Sequence, residues 1–390
     1  MISFDNTEVA FRGKSKGDLN RAYWLFKVVS SPAMVRFGKW ATNVALRLKL
    51  PIKAIIKKTI FRQFCGGESI QESLKASKTL ASRNVKTILD YSIEGKTKEE
   101  DFDKTVQEII GTIREGEKNE NIPFAVFKVT GICLHDILEK SNDGIENLST
   151  EEKKDYDKLK ERVSSICSEA YNRNVPIFID AEESWIQNTI DRLAYEMSVK
   201  FNQKTAIVYN TVQLYRHDRL AFLKSEIARA EKENFKLGVK LVRGAYMEKE
   251  RARAEEKGYP SPIQPNKDAA DKDFNASLKV VVERIDRVSF CAGTHNEESS
   301  MLLVNLLKEH GVDSSDPRAY FAQLLGMSDH ISFNLADNGL MVAKYVPYGP
   351  IKEVLPYLIR RADENTSVAG QTGRELSLIM KERKRRKTEL

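Results

Sequence analysis

Short runs of β-branched and aromatic residues alternate along most of the chain with longer segments whose apolar residues recur every three to four positions. This is the pattern of strands followed by amphipathic helices. The runs predict strands at 86–92, 124–130, 176–182, 205–212, 237–243, 288–293, 319–325 and 340–346. Between them, Phe102, Val106, Ile109 and Ile113 form one helical stripe. Tyr156, Leu159, Val163, Ile166 and Ala170 form another, opened by a capping box of Ser149 and Glu152. Further stripes run through Trp185–Met197, Leu220–Ala230, Phe274–Ile285, Met301–Leu307 and Ile331–Leu335, and a final helix begins near Lys352.

Eight strand–helix units over about 280 residues predict a (β/α)8 barrel, whose usual size is ~250 residues before insertions. A doubly wound open sheet is the alternative. No GxGxxG or GxxxxGK[ST] follows any strand, which counts against its nucleotide-binding versions. Residues 1–85 then form an all-helical N-terminal extension, 86–370 the barrel, and 371–390 a basic C-terminal tail.

With 41% hydrophobic and 31% charged residues in 390, the composition is that of a folded globular chain rather than a disordered or fibrous one. No uncharged apolar run reaches the ~18 residues of a membrane-crossing helix. The net charge of +7 is unevenly spread. Residues 1–63 carry 13 Lys and Arg against 3 Asp and Glu, and the last ten carry 6 against 2, so the body between is acidic. Basic ends on an acidic body point to a polyanion, either nucleic acid or an anionic membrane surface.

Cys65, Cys133, Cys167 and Cys291 lack metal-ligand spacing and read as reduced thiols; no metal site is expected. With Asp5, Glu8 and no apolar core, the first residues do not read as a secretory signal, nor strongly as a mitochondrial leader.

In a barrel, polar residues at the carboxyl ends of strands carry a functional expectation. Lys128 lies on the second strand, the third ends in Asp180-Ala-Glu-Glu183, and the fourth runs into Gln213. Lys240 and Arg243 lie on the fifth, before Gly244-Ala-Tyr246; the sixth ends in Thr294-His-Asn296, and the eighth carries Tyr345. Charges inside apolar strands need partners or a ligand, so they form either a structural ion-pair lattice or a binding site. Their convergence from several strands favours the site. On the last helix, Arg360 and Glu364 share a face as an ordinary i,i+4 pair, while adjacent Arg360 and Arg361 suit bidentate capture of a carboxylate. The polar run Lys249–Pro265, broken internally by Gly258, Pro260 and Pro262, reads as a mobile lid or a solvated loop.

Lys240-Leu-Val-Arg-Gly-Ala-Tyr246, Asp180-Ala-Glu-Glu183, Thr294-His-Asn296, Tyr345-x-Pro-x-Gly349 and Tyr357-Leu-Ile-Arg-Arg-x-x-Glu-Asn365 occur together. In this order they resemble the proline dehydrogenases, over roughly residues 64–369. The resemblance implies a distorted (β/α)8 TIM barrel that binds FAD across its carboxyl face, with the final helix over the mouth. It implies oxidation of L-proline to Δ1-pyrroline-5-carboxylate by hydride transfer to FAD, with hydroxyproline dehydrogenase or another flavin-dependent barrel oxidoreductase as alternatives.

By the same resemblance, Arg360, Arg361 and Lys128 bind the proline carboxylate, while Tyr345, Tyr357 and Leu241 shape the pocket around the ring. Asp180 and Tyr246 support it, and Glu94 gates it with the first arginine. The implied FAD contacts are Gln213, Lys240, Arg243, Gly244, Lys267, Thr294, His295, Asn296, Arg361 and Glu364. The chain departs from the bacterial bifunctional members by Lys240 for arginine, Arg243 for lysine, and Pro265 for a hydroxyl residue. No side chain is singled out as a general acid or base.

Trp24, Phe26, Phe37, Trp40 and Leu46 interleave with Arg36, Lys39, Arg47, Lys49, Lys53, Lys57 and Lys58. This suits either an anionic bilayer surface or packing on the barrel. The family passes electrons to a membrane quinone, so the resemblance favours peripheral binding. The expected location is the inner face of the cytoplasmic membrane, or the matrix side of the mitochondrial inner membrane in a eukaryote. A separate pyrroline-5-carboxylate dehydrogenase would take the product, and nucleic acid becomes the poorest partner.

Overall fold

The computed structural model describes residues 2–47, 53–93, 96–367 and 371–388, excluding the side chains of Pro32, Lys39, 42–47, 362–367 and 371–372. The eight strands are β1 (Val85–Tyr91), β2 (Phe124–Lys128), β3 (Ile177–Asp180), β4 (Val208–Gln213), β5 (Leu237–Val242), β6 (Val288–Gly293), β7 (Ala319–Leu324) and β8 (Val342–Tyr348). They close in sequence order into one barrel. The register is parallel throughout β1–β7 and sets Lys128 beside Asp180, Thr211 beside Lys240, and Lys240 beside Cys291. The barrel reading of the hydrophobic pattern is therefore correct.

Several strand ends differ from the pattern by two or more residues, β2 and β3 stopping at Lys128 and Asp180, and two of the differences have a clear local reason. β4 begins at Val208 because the buried Asn202 side chain accepts from Ile207 N (2.9 Å) and Val208 N (2.8 Å) and donates to Val208 O (2.8 Å), making 202–207 a turn. β8 runs on to Tyr348 because Gly66 N donates to Pro347 O (2.9 Å) and Gly67 pairs with Tyr348.

Contacts divide the chain into two compact units, residues 88–322 and residues 1–87 with 323–390. In the first, strand alternation sorts side chains into two sets. Ala125, Phe127, Ile177, Ile179 and Val208 face outward into a core with Ile109, Ile113, Val163, Ile166, Ile190 and Leu193 from the surrounding helices. Phe124, Phe178, Tyr209 and Tyr320 face inward, where Phe124 stacks on Phe178 at 4.5 Å and meets Tyr320 edge-on at 4.9 Å. Gly238 leaves space for this lattice, since a Cβ there would stand 2.7 Å from the Tyr209 ring.

In the second unit, helices Thr7–Phe11 and Lys16–Val29 pack against helix Gln371–Thr388 through Ala10, Phe11, Leu19, Ala22, Phe26, Leu378 and Ile379. Residues 371–388 thus form a docked helix rather than a loose basic extension. Buried Glu382 accepts from Arg385 (2.8 Å) and Arg386 (2.6 Å), and Arg386 donates to the carbonyls of Lys14 and Phe11 (2.7 Å each). Asp329 is buried between Lys14 (2.7 Å) and Lys344 (3.0 Å).

Candidate active site

Because β2 and β3 pair with Lys128 beside Asp180, both side chains lie on the inward set, four residues beyond Phe124 and two beyond Phe178. Asp180 Oδ2 accepts from Lys128 Nζ at 3.0 Å, and its Oδ1 accepts from Lys240 Nζ on β5. Asp90 on β1 lies 3.8 Å from Lys128. Burial alone would raise the Asp180 carboxyl, but Lys240 and then Lys128 outweigh it and lower it to about 2. Four charges from four strands, Asp90, Lys128, Asp180 and Lys240, thereby form one inward-facing cluster.

A second cluster forms beyond β5 and β6. Arg243 donates to Asp271 (2.6 Å), Thr294 Oγ1 (2.8 Å) and Ser299 Oγ (2.9 Å), and its guanidinium lies over the Phe274 ring at 4.4 Å. All three nitrogens of Arg243 are engaged, so its planar fork fixes the frame. Lys267 pairs with the far oxygen of Asp271, and Asn296 caps helix Glu297–Glu309 by accepting from Ser299 N (2.8 Å). His295, partly buried, lies between Thr294 and Asn296.

Gly244, at φ +141°, makes a tight backbone turn where a Cβ would stand 2.4 Å from the Tyr215 ring, so only glycine fits. Gln213, inward-facing at the end of β4, is buried, and its Oε1 has no hydrogen-bond partner among the described residues.

Several expectations are revised. Leu241 is fully buried, but alternation sets it on the helix-facing side with Leu237 and Val239, opposite Lys240, so it does not join the inward cluster. Tyr246, partly exposed, precedes helix Met247–Lys257, which replaces most of the expected lid or loop. That helix is tied down where buried Glu250 accepts from Ser184 N (2.7 Å) and Oγ (2.6 Å), and where Lys249 pairs with Glu183.

Sequence reasoning missed Asp271, Glu250 and the partnership of Glu182 with Thr130. The only available signal was the unusual pair of acids after Asp180.

In the unit that holds the last helix, Tyr345 on β8 and Tyr357 on helix Ile351–Ser367 are buried. Arg361 is also buried and lies over the Tyr357 ring at 4.9 Å; Arg360 is partly exposed. Glu94 and the Glu364 side chain lie outside the described residues.

Comparison with known proteins decides the family. A sequence profile described as "Proline dehydrogenase" matches residues 73–374. The chain belongs to the proline dehydrogenase family. "Proline dehydrogenase 1, mitochondrial" of Dictyostelium discoideum is 34% identical over 426 residues, covering 98% of this chain and 74% of that one. "Hydroxyproline dehydrogenase" of Xenopus laevis is 28% identical, covering 99% and 90%. Among solved structures, proline utilization A (PutA) from Bdellovibrio bacteriovorus inactivated by N-propargylglycine superposes with a TM-score of 0.73 at 21% identity. It matches 93% of this chain, which spans 38% of that longer protein. That likeness shows the fold alone. As a member of the proline dehydrogenase family the chain is an oxidoreductase. Among the described residues, no helix is long and apolar enough to cross a membrane.

Proposed function

We propose that this chain oxidises L-proline to Δ1-pyrroline-5-carboxylate, with FAD as its cofactor. The observation that carries the reading is the buried Lys128–Asp180–Lys240 cluster, inward-facing on three strands of a chain that belongs to the proline dehydrogenase family.

The residues present fit FAD. Gln213 offers a buried amide oxygen with no partner among the described residues, Gly244 brings backbone close without a side chain, and Lys240, Lys267, Thr294 and Asn296 supply donors suited to a phosphate and ring system. With Arg243, His295, Arg361 and Glu364 these would hold the cofactor. When bound, FAD supplies the two-electron oxidising power for the ring C–N bond.

The chain itself binds and orients. Arg360 and Arg361 present planar forks for a carboxylate, and Lys128 presents an ammonium held in place by Asp180. Fixing the carboxylate sets the position of the carbon beside the ring nitrogen and removes entropy from the barrier. Tyr246, Tyr345 and Tyr357 shape the space around the ring, and the bulk of buried Tyr345 favours proline over its 4-hydroxy derivative. No side chain is assigned as a proton acceptor.

Electrons pass on to a membrane quinone, and the exposed apolar residues support peripheral binding. Trp24 (60% exposed), Phe37 (66%), Trp40 (61%) and Ile55 (64%) lie in the strongly basic first 63 residues. The membrane is the inner face of the cytoplasmic membrane or the matrix face of the mitochondrial inner membrane. A separate dehydrogenase then takes the pyrroline product.

Anaerobic titration of the purified protein with L-proline tests the reading. Flavin absorbance should bleach with proline and much less with trans-4-hydroxyproline; a protein that takes up no flavin refutes it.

A further inference from the structure

Two residues after Asp180, the chain buries a carboxylate that the proposed chemistry does not use. Glu182 is 3% exposed, and its two oxygens accept from a single residue: Oε1 from Thr130 N at 3.0 Å and Oε2 from Thr130 Oγ1 at 2.5 Å. Thr130 lies in the turn Val129–Gly131 that directly follows Lys128 on β2. On its own side, Glu182 is held by its N–H, which donates to Gln187 Oε1 at 2.9 Å. Gln187 in turn donates to Asp191 at 2.9 Å, and Asp191 accepts from Arg219 at 2.7 Å. A rigid polar chain rooted in helix Ser184–Phe201 therefore grips the turn that carries Lys128.

We propose that Glu182 is a positioning residue for Lys128: its carboxyl fixes the turn after β2 through Thr130, and its ionisation adds a negative charge that competes with a ligand carboxylate for the Lys128 ammonium. The inference rests on the proposal that Lys128 meets the substrate carboxylate. The charged groups around Glu182 are Glu183 next in the chain, with Lys249 of helix Met247–Lys257 bonded to it, Lys128 at the end of β2, and Asp180 at the end of β3 between Lys128 and Lys240. Burial first, then the neighbouring Glu183, pushes the Glu182 carboxyl up to about 7, against the lowering pull of the Thr130 bonds and Lys128. Its charge therefore changes near neutrality: protonated below, anionic above.

The test uses the flavin-loaded full chain and cyclopentanecarboxylate, a ring carboxylate without an amine, as a competitor of proline from about pH 5.5 to about pH 8.5. Its affinity should fall on the order of fivefold as the pH rises, while Glu182→Gln, which keeps a neutral partner for Thr130, should show one affinity across the range. Glu182→Ala should raise KM for proline more than it lowers kcat, and glutamine should rescue it. Thr130→Val, which deletes the hydroxyl donor, should move the midpoint of the affinity change upward.

An identical pH slope in Glu182→Gln, an unmoved midpoint in Thr130→Val, or an unchanged KM in Glu182→Ala overturns the inference while leaving the proline reading intact. A wild-type chain that binds neither proline nor the competitor overturns both.

Discussion

Asp180 is the residue on which the inward charge cluster turns, and Asp180→Asn isolates its charge, because asparagine has the same shape and leaves no cavity. The side chains of Asp180, Lys128 and Lys240 are only 11%, 12% and 6% exposed, so solvent screens them weakly. Removing the carboxylate's charge leaves two ammonium groups facing each other across a neutral amide. Breaking a buried pair from one side costs about 3–5 kcal/mol.

Urea unfolding of the flavin-loaded protein at neutral pH should show this loss. Adding Lys128→Met should restore part of it, since one of the two facing cations is then gone. The pH dependence has a definite sign. The Asp180 carboxyl is lowered from its ordinary 3.8 to about 2, so its contribution is fully present above 3.8 and disappears as pH falls through about 2. The gap between wild type and Asp180→Asn should hold across the neutral range and narrow only in acid. A gap below about 1 kcal/mol at neutral pH, or a double variant no more stable than Asp180→Asn, would refute a charge cluster of this kind.

Three further outcomes are expected. Tyr345→Ser should raise kcat/KM for trans-4-hydroxyproline relative to proline by about tenfold, the scale of one pocket group; an unchanged ratio would remove Tyr345 from the pocket. Replacing Trp24, Phe37 and Trp40 together by serine should weaken co-sedimentation with anionic vesicles by at least about tenfold while turnover with a soluble dye acceptor stays the same. Equal partition would show that these exposed aromatics do not contact lipid. Deleting residues 381–390 removes Glu382 and the Arg386 bonds to the carbonyls of Lys14 and Phe11, and should lower the unfolding free energy by about 2–4 kcal/mol. Wild-type stability in the truncated chain would mean that the docked end of the last helix carries no weight.

The eight strands and most helices were legible because each depends on a period contained within its own segment: two for a half-buried strand, 3.6 for an amphipathic helix. The charged residues at strand ends stood out for a similarly local reason, since ionised groups such as Lys128, Asp180 and Lys240 do not sit in apolar runs without compensation.

Misjudged features depended on partners distant in sequence. The helix Met247–Lys257 looked like loop because it has almost no apolar face; it is anchored by Glu250 on Ser184, 66 residues earlier. The basic run at the C-terminus read as a tail, yet Arg386 reaches carbonyls 372 and 375 residues away. Leu241 was assigned by its place in a motif, and only the pleat of β5 shows that it faces the helices.

The sequence by itself determined which segments fold as strands and helices and which residue types gather at the strand ends, because these follow from local periodicity and the cost of burying charge. Only the tertiary structure decided which charges meet. Asp180 lies 52 residues from Lys128 and 60 from Lys240, and strand neighbours, register and the inward side of the pleat select those partners. The same closure of the barrel brings Glu182 to Thr130, 52 residues apart, turning two unremarkable residues into a clamp behind Lys128.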